Sequence, residues 1–144
     1  MVRSFVRTRA FPALAWAYLA AIGVQMFFAG LFVFVSTSDI ELHRNMAHVI
    51  GLLTALLIGA VFVGRVPEKR LVFAVLGLLI IQGMLVHVGQ WFGLWTIAAL
   101  HPVNALVLGY ASLVLARRSN AYWSERRTEA ALAPAQVPGV PSAA

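Results

Sequence analysis

The chain has 144 residues, of which 61% are hydrophobic and 11% charged, with a formal net charge of +6 and no cysteine. A water-soluble domain carries roughly 25% charged residues, so a soluble globular class is excluded, and the lack of cysteine removes disulfides, thiolate metal sites and thiol nucleophiles. The basic excess does not point to nucleic acid, because the charges bracket long uncharged runs instead of forming a patch.

No charged residue falls between Arg9 and Asp39, between Arg44 and Arg65, or between Arg70 and Arg117. About 20 apolar residues span a bilayer as a helix, so the first two intervals hold one crossing each and the third holds two. The expected fold is all-α, an integral membrane four-helix up-down bundle over residues 11–118, with helices at about 12–35, 39–64, 70–89 and 101–118. Arg3, Arg7 and Arg9 precede the first helix, Arg65, Lys69 and Arg70 join the second and third, and Arg117, Arg118, Arg126 and Arg127 follow the fourth. Only Arg44 stands on the other side. The positive-inside rule then places both termini in the cytoplasm and the chain in the cytoplasmic membrane as a multi-pass protein, with the lipid bilayer as its first partner.

In chain order, residues 1–10 are a basic lead-in. The apolar run from Phe11 to Val35 is too long for a signal-peptide core and lacks a small-x-small exit site, so it reads as a retained first helix with Trp16 and Tyr18 as interface anchors. Gln25 is its one strongly polar residue and reads as an interhelical hydrogen-bonding group. Ser38 followed by Glu41 fits a capping box and starts the second helix at Asp39. Val66-Pro67-Glu68-Lys69 is a tight turn, and the third helix carries Gln82 and His87. Gln90 to Trp95 has the aromatic and glycine content of an outer-interface loop. The fourth helix begins near His101 or a turn earlier, with Pro102 suited to the first turn, where a missing N–H costs nothing. Tyr122 and Trp123 continue along the inner surface. Residues 119–144 form a cytoplasmic tail whose Ala/Pro-rich composition predicts disorder from about residue 128.

The polar residues that remain are organised by a spacing that occurs twice. His-x3-Ala-x3-Gly reads His43, Ala47, Gly51 in the second helix and His101, Ala105, Gly109 in the fourth. Residues four and eight apart lie along one slanting stripe of a helix, so each imidazole heads two side chains too small to fill the space beside it. In an up-down bundle the second and fourth helices run the same way and are diagonal neighbours, which levels the two histidines at the outer end. A flat metal macrocycle fits such a slot, with His43 and His101 as axial ligands of a b-type haem iron and Arg44 placed to meet its propionates. All four histidines fall in the outer half. His48 lies about 140° round the helix from His43 and cannot face the same centre. It is expected to meet the first or third helix near Gln25 or His87, and His48 and His87 remain secondary metal candidates. Two other readings stay open: small-residue stripes also mediate close helix packing, so the outer polar cluster could be structural, and several histidines could hold zinc or copper, although Asp39 and Glu41 are the only carboxylates nearby. The chain also reads as two halves, each a helix with a glutamine followed by a helix with the histidine stripe.

Ile40-Glu41-Leu42-His43-Arg44-Asn45-Met46-Ala47, continuing to Gly51, resembles the Glu-x-x-His-Arg-x-x-Ala-x-x-x-Gly signature of haem A synthase helices, and Ile80-Ile81-Gln82-Gly83 is loosely similar to a further helix of that family. The resemblance implies a haem between the histidines of the second and fourth helices, here His43 and His101. It does not carry the family's oxidation chemistry. This chain has four helices where that family has eight, and Glu41 precedes the histidine by two residues, which turns it about 100° from the family's acidic position. From about residue 12 to 118 the chain also resembles an uncharacterised family of small four-helix membrane proteins with a Leu-His-Arg segment on the second helix and Leu-His-Pro-Val-Asn-Ala, here Leu100 to Ala105, on the fourth. The expected function is electron transfer or haem handling with a redox partner in the membrane or at its outer face, without a catalytic motif of the chain's own.

Overall fold

The computed structural model describes residues 5–132. Arg3 and the Ala/Pro-rich stretch beyond Leu132 lie outside the described residues, as do the side chains of Arg7, Tyr122, Trp123, Arg126 and Arg127. All regular structure among the described residues is helical: α1 spans Phe11–Phe34, α2 Ile40–Gly64, α3 Lys69–Phe92, α4 Trp95–Ala98 and α5 His101–Leu132. The four long helices are each long and apolar enough to cross a membrane.

Local chemistry sets where each helix starts and stops. Pro12 has no N–H to donate and its ring crowds the carbonyl four residues back, and the turn before it widens into a π-helix over Val6–Ala10, closed by the Phe11 N–H on the Val6 carbonyl. The expected capping box does not form. Ser36, not Ser38, is the cap: its hydroxyl accepts the Ser38 N–H at 3.3 Å ahead of a single 3-10 turn, Thr37–Asp39. Glu41 turns instead to Arg44, one helical turn on, at 2.8 Å, since a charge-assisted partner competes well with a backbone N–H. α2 ends with Arg65 in the left-handed region (φ 50°), and the Val66 N–H reaches back to the Val61 carbonyl, a Schellman closure with Val66 buried behind it.

Two boundaries differ from those expected. α3 continues through Gln90 to Phe92, because the glycine that stops it in the left-handed conformation is Gly93 (φ 68°), not Gly89. Gly89 serves close approach: the short α4, which begins at the end of the stretch 90–95, brings Ala98 against it. α5 runs past Arg118 to Leu132, so residues 128–132 are helical, as befits the helix formers Ala, Glu and Leu in that stretch.

α1 packs on α2 and α5, and α3 packs on α5 and more lightly on α2, so the order round the bundle is α1, α2, α3, α5. α2 and α5 are therefore diagonal. The fully buried side chains, among them Phe11, Tyr18, Leu57, Val72, Val75 and Leu115, lie toward the arginine-rich end. The bundle is packed shut there and left open at the histidine end.

A Cβ on Gly89 would stand 2.5 Å from the Ala98 Cβ, so Gly89→Ala should destabilise the detergent-solubilised protein by about 1–3 kcal/mol in thermal unfolding. Ala98→Gly in the same chain should recover most of that loss, and Gly77→Ala, where nothing lies within 4 Å, should not lower stability.

Candidate functional site

At the open end the four long helices enclose a cavity of about 430 Å³. His43 on α2 and His101 on α5 stand on its diagonal walls with ring centres 6.3 Å apart and planes inclined at 59°. The cavity is built twice over. Ile22, Gln25, Met26 and Ala29 of α1 have Leu79, Gln82, Gly83 and Val86 of α3 as counterparts at one constant offset along the chain. His43, Ala47 and Ile50 of α2 correspond in the same way to His101, Ala105 and Leu108 of α5.

The rings are held by the same device in both halves. His43 Nδ1 bonds the main-chain carbonyl of Gln25 at 3.3 Å, and His101 Nδ1 bonds that of Gln82 at 3.0 Å. A carbonyl only accepts, so each Nδ1 carries the proton and donates; in the neutral ring Nε2 is then left with its lone pair. A helical carbonyl already engaged along its own helix has a second lone pair for this. Each histidine is thus oriented by the helix before it, through a group that no substitution removes.

The side chains of the two glutamines differ. Asn104 Nδ2 donates to Gln82 Oε1 at 2.6 Å and to the Leu78 carbonyl at 2.9 Å, which ties α5 to α3 and holds the Gln82 amide. The position of α2 that corresponds to Asn104 is Met46, which offers no such tie. The Gln25 amide instead lies on His43, its Nε2 at 3.1 Å from the ring Nε2, and its Oε1 is buried without a hydrogen-bond partner among the described residues. Gln25 is therefore an interhelical hydrogen-bonding residue, but its partner is His43, not His48.

Of the other residues singled out by spacing, Ala47 and Ala105 line the cavity and Gly51 and Gly109 do not. Eight positions along a helix overshoot by about 80°, whereas seven fall only about 20° short, so the third position of each stripe goes to Ile50 and Leu108. Both are buried and floor the cavity, and just below them Thr54 and Ser112 each return a hydroxyl to the carbonyl four residues back, of Ile50 and Leu108 respectively. Gly109 faces Ile22 across the α1–α5 contact. His48 is exposed on α2 and is not among the residues that line the cavity. His87 lines the cavity beside Gln90 and stacks on Trp91, with ring centres 5.2 Å apart. Arg44 also lines the cavity, with its guanidinium engaged by Glu41. Among the described residues, no three or more histidine, aspartate or glutamate side chains gather as a metal-binding group.

Fold and site define a class: a four-helix bundle of membrane-spanning length with a cavity at one end, lined by His43, His87 and His101. A model of the family of unknown function DUF6220 matches residues 25–90, from Gln25 through His43 to the end of α3. The chain is similar to that family over the first three walls of the cavity, in keeping with the expected likeness to an uncharacterised family. The likeness brings no activity with it. No curated protein and no solved structure matches the chain.

Asn104→Leu keeps the volume and removes both ties from α5 to α3. It should cost about 1–2 kcal/mol in unfolding measurements on the solubilised protein.

Proposed function

We propose that the chain is an integral membrane protein that binds one b-type haem near the outer face, with His43 and His101 as axial ligands, for electron transfer or haem handling. The observation that carries this reading is the pair of imidazoles on diagonal walls, each pinned through Nδ1 to a carbonyl. Two imidazoles sharing one metal by bonds of about 2 Å keep their ring centres roughly 6 Å apart, and these stand at 6.3 Å. A ligating histidine ordinarily donates its other N–H to a carbonyl or carboxylate, which fixes its tautomer and orientation.

The charge balance supports the same cofactor. The cavity wall carries no carboxylate. A bare divalent cation held by two neutral imidazoles would leave its charge uncompensated in an apolar site, whereas a porphyrin brings its own two negative charges to the iron. Ala47, Ala105 and Gly83 leave the walls low on three sides, Ile50 and Leu108 close the space toward the packed end, and Arg44, paired with Glu41, is the cation of the lining available to anionic substituents. Haem supplies one-electron chemistry at its iron; the chain supplies ligands, orientation and a dry floor.

One observation favours a second reading, in which the polar cluster is structural and the protein is a non-enzymatic membrane subunit. The Gln25 amide satisfies His43 Nε2 without any cofactor. That arrangement leaves the buried Gln25 Oε1 with no partner among the described residues, a cost a purely structural cluster would not retain.

The protein purified from haem-replete cells should show a Soret band and a sharp α-band on reduction. His43→Ala and His101→Ala should each abolish the low-spin six-coordinate spectrum, while His48→Ala leaves it intact. A colourless wild-type preparation rejects the haem reading in favour of the structural one.

The reading also sets both termini in the cytoplasm, following the arginines that flank the packed end. The natural chain has no cysteine, so single cysteines report orientation directly. Thr37→Cys should react with a membrane-impermeant maleimide in intact cells, and Lys69→Cys only after lysis. The opposite pattern rejects the orientation.

A further inference from the structure

The two halves of the cavity differ most at the rim, and the differences gather the polar residues on one side. Arg44 of α2 has Pro102 of α5 as its counterpart, and His87 and Gln90 of α3 have Gly30 and Val33 of α1. Arg44, His87 and Gln90 line the cavity, whereas α1 contributes only Ile22, Gln25, Met26 and Ala29, with the Gln25 amide engaged by His43. Gly83, His87 and Gln90 are spaced by four and seven residues, so they form one stripe of α3 that leads toward the mouth of the cavity. A Cβ on Gly83 would meet nothing within 4 Å, and its counterpart on α1 is the long side chain of Met26. His87 stacks on Trp91 with planes inclined at 22°, which limits how far its ring can turn. Neither the His87 ring nor the Gln90 amide has a hydrogen-bond partner among the described residues.

Axial bonds stand normal to a macrocycle. With ligands on α2 and α5, the plane of the ring holds the other diagonal of the bundle, and its edges face α1, α3 and the mouth. We propose that the haem of the reading above, on which this inference rests, is turned with its carboxylate edge to α3, where His87 and Gln90 donate hydrogen bonds to the two propionates. His87 is then a carboxylate-binding residue and not a ligand of the iron. The opposite turn would set both carboxylates against Met26 and Ala29, which offer no donor, and an unpaired charge in an apolar site is costly. Arg44 flanks the same corner but brings little net charge, because Glu41 holds its guanidinium at 2.8 Å. The free donors are those of α3.

Haem and its dimethyl ester, in which both carboxylates are capped, are the probes. Each is titrated into the solubilised full-length protein made in haem-depleted cells and read by the Soret band. The wild-type protein should bind haem at least about tenfold more tightly than the diester, the worth of one charge-assisted hydrogen bond. His87→Leu should keep the low-spin six-coordinate spectrum, weaken haem about tenfold and leave the diester unchanged. His87→Gln, which keeps a donor, should recover most of the loss. Equal binding of the two probes by the wild type overturns the proposal, and that comparison needs no variant to fold. So does equal weakening of both probes in His87→Leu, or loss of the six-coordinate spectrum there, which would make His87 a ligand. A wild-type protein that takes up neither probe removes the haem reading itself, a different result from these.

Discussion

The second lone pair of a main-chain carbonyl holds each histidine of the cavity, and the arrangement of the open end depends on it. The Gln25 and Gln82 carbonyls belong to helices that precede their histidines, so each bond locks one helical hairpin, α1 with α2 and α3 with α5. The bond also chooses the tautomer, putting the proton on Nδ1 and leaving Nε2 for other use. Such a bond requires two helices to meet at close range at that depth. The packed end provides for this: Tyr18, Leu57, Val75 and Leu115 close it without residual exposure, and the helices enter the open end already aligned. A bundle packed shut along its whole length would have no cavity, and one left open throughout would have no fixed approach between Gln25 and His43.

The two hairpins are versions of one unit. His43 and His101, Ala47 and Ala105, Ile50 and Leu108, Thr54 and Ser112, and Leu57 and Leu115 all correspond at one offset. Repetition places two like groups on opposite sides of one space, as a parallel internal repeat does in other membrane folds. Yet the repeat is not exact. It is broken at Met46 and Asn104, three residues after each histidine. That single difference decides whether the preceding glutamine is tied to its neighbour or free to fold onto the ring.

Much of this was legible in the chain, and the rest failed for local reasons. Uncharged intervals located the long helices, since burial of charge in an apolar span is costly whatever the tertiary detail. The diagonal pairing of His43 with His101 followed from an alternating bundle. The third position of the small-residue stripe belongs to Ile50 and Leu108 and not to Gly51 and Gly109, because a step of seven residues keeps to one face of a helix better than a step of eight. The repeat itself held the missing signal, for the match of Thr54 with Ser112 and Leu57 with Leu115 extends the register well beyond the stripe. The capping box failed because Arg44 competes for Glu41, and the third helix outran its expected end because two glycines four residues apart have different tasks. Gly89 admits Ala98, and Gly93 takes the left-handed turn. No pattern in a single sequence separates a glycine needed for space from one needed for conformation.

The placement of the cavity limits what the proposed cofactor can do. Below Ile50 and Leu108 the bundle is filled by apolar side chains and by hydroxyls that bond their own helices, and none of the four histidines lies there. On the proposed reading, a cofactor between His43 and His101 would find no second histidine pair nearer the packed end among the described residues. Exchange would then take place at the histidine end or sideways through the bundle wall. At that end the cavity is bordered by Arg44 with its Glu41 partner, by Gln90, and by His87 stacked on Trp91. These groups are polar yet nearly neutral in sum, and Trp91 is largely exposed. For the proposed redox role, such a rim would suit a partner that contacts an aromatic edge over a highly charged one steered from a distance, because long-range steering needs a net field that this rim does not supply.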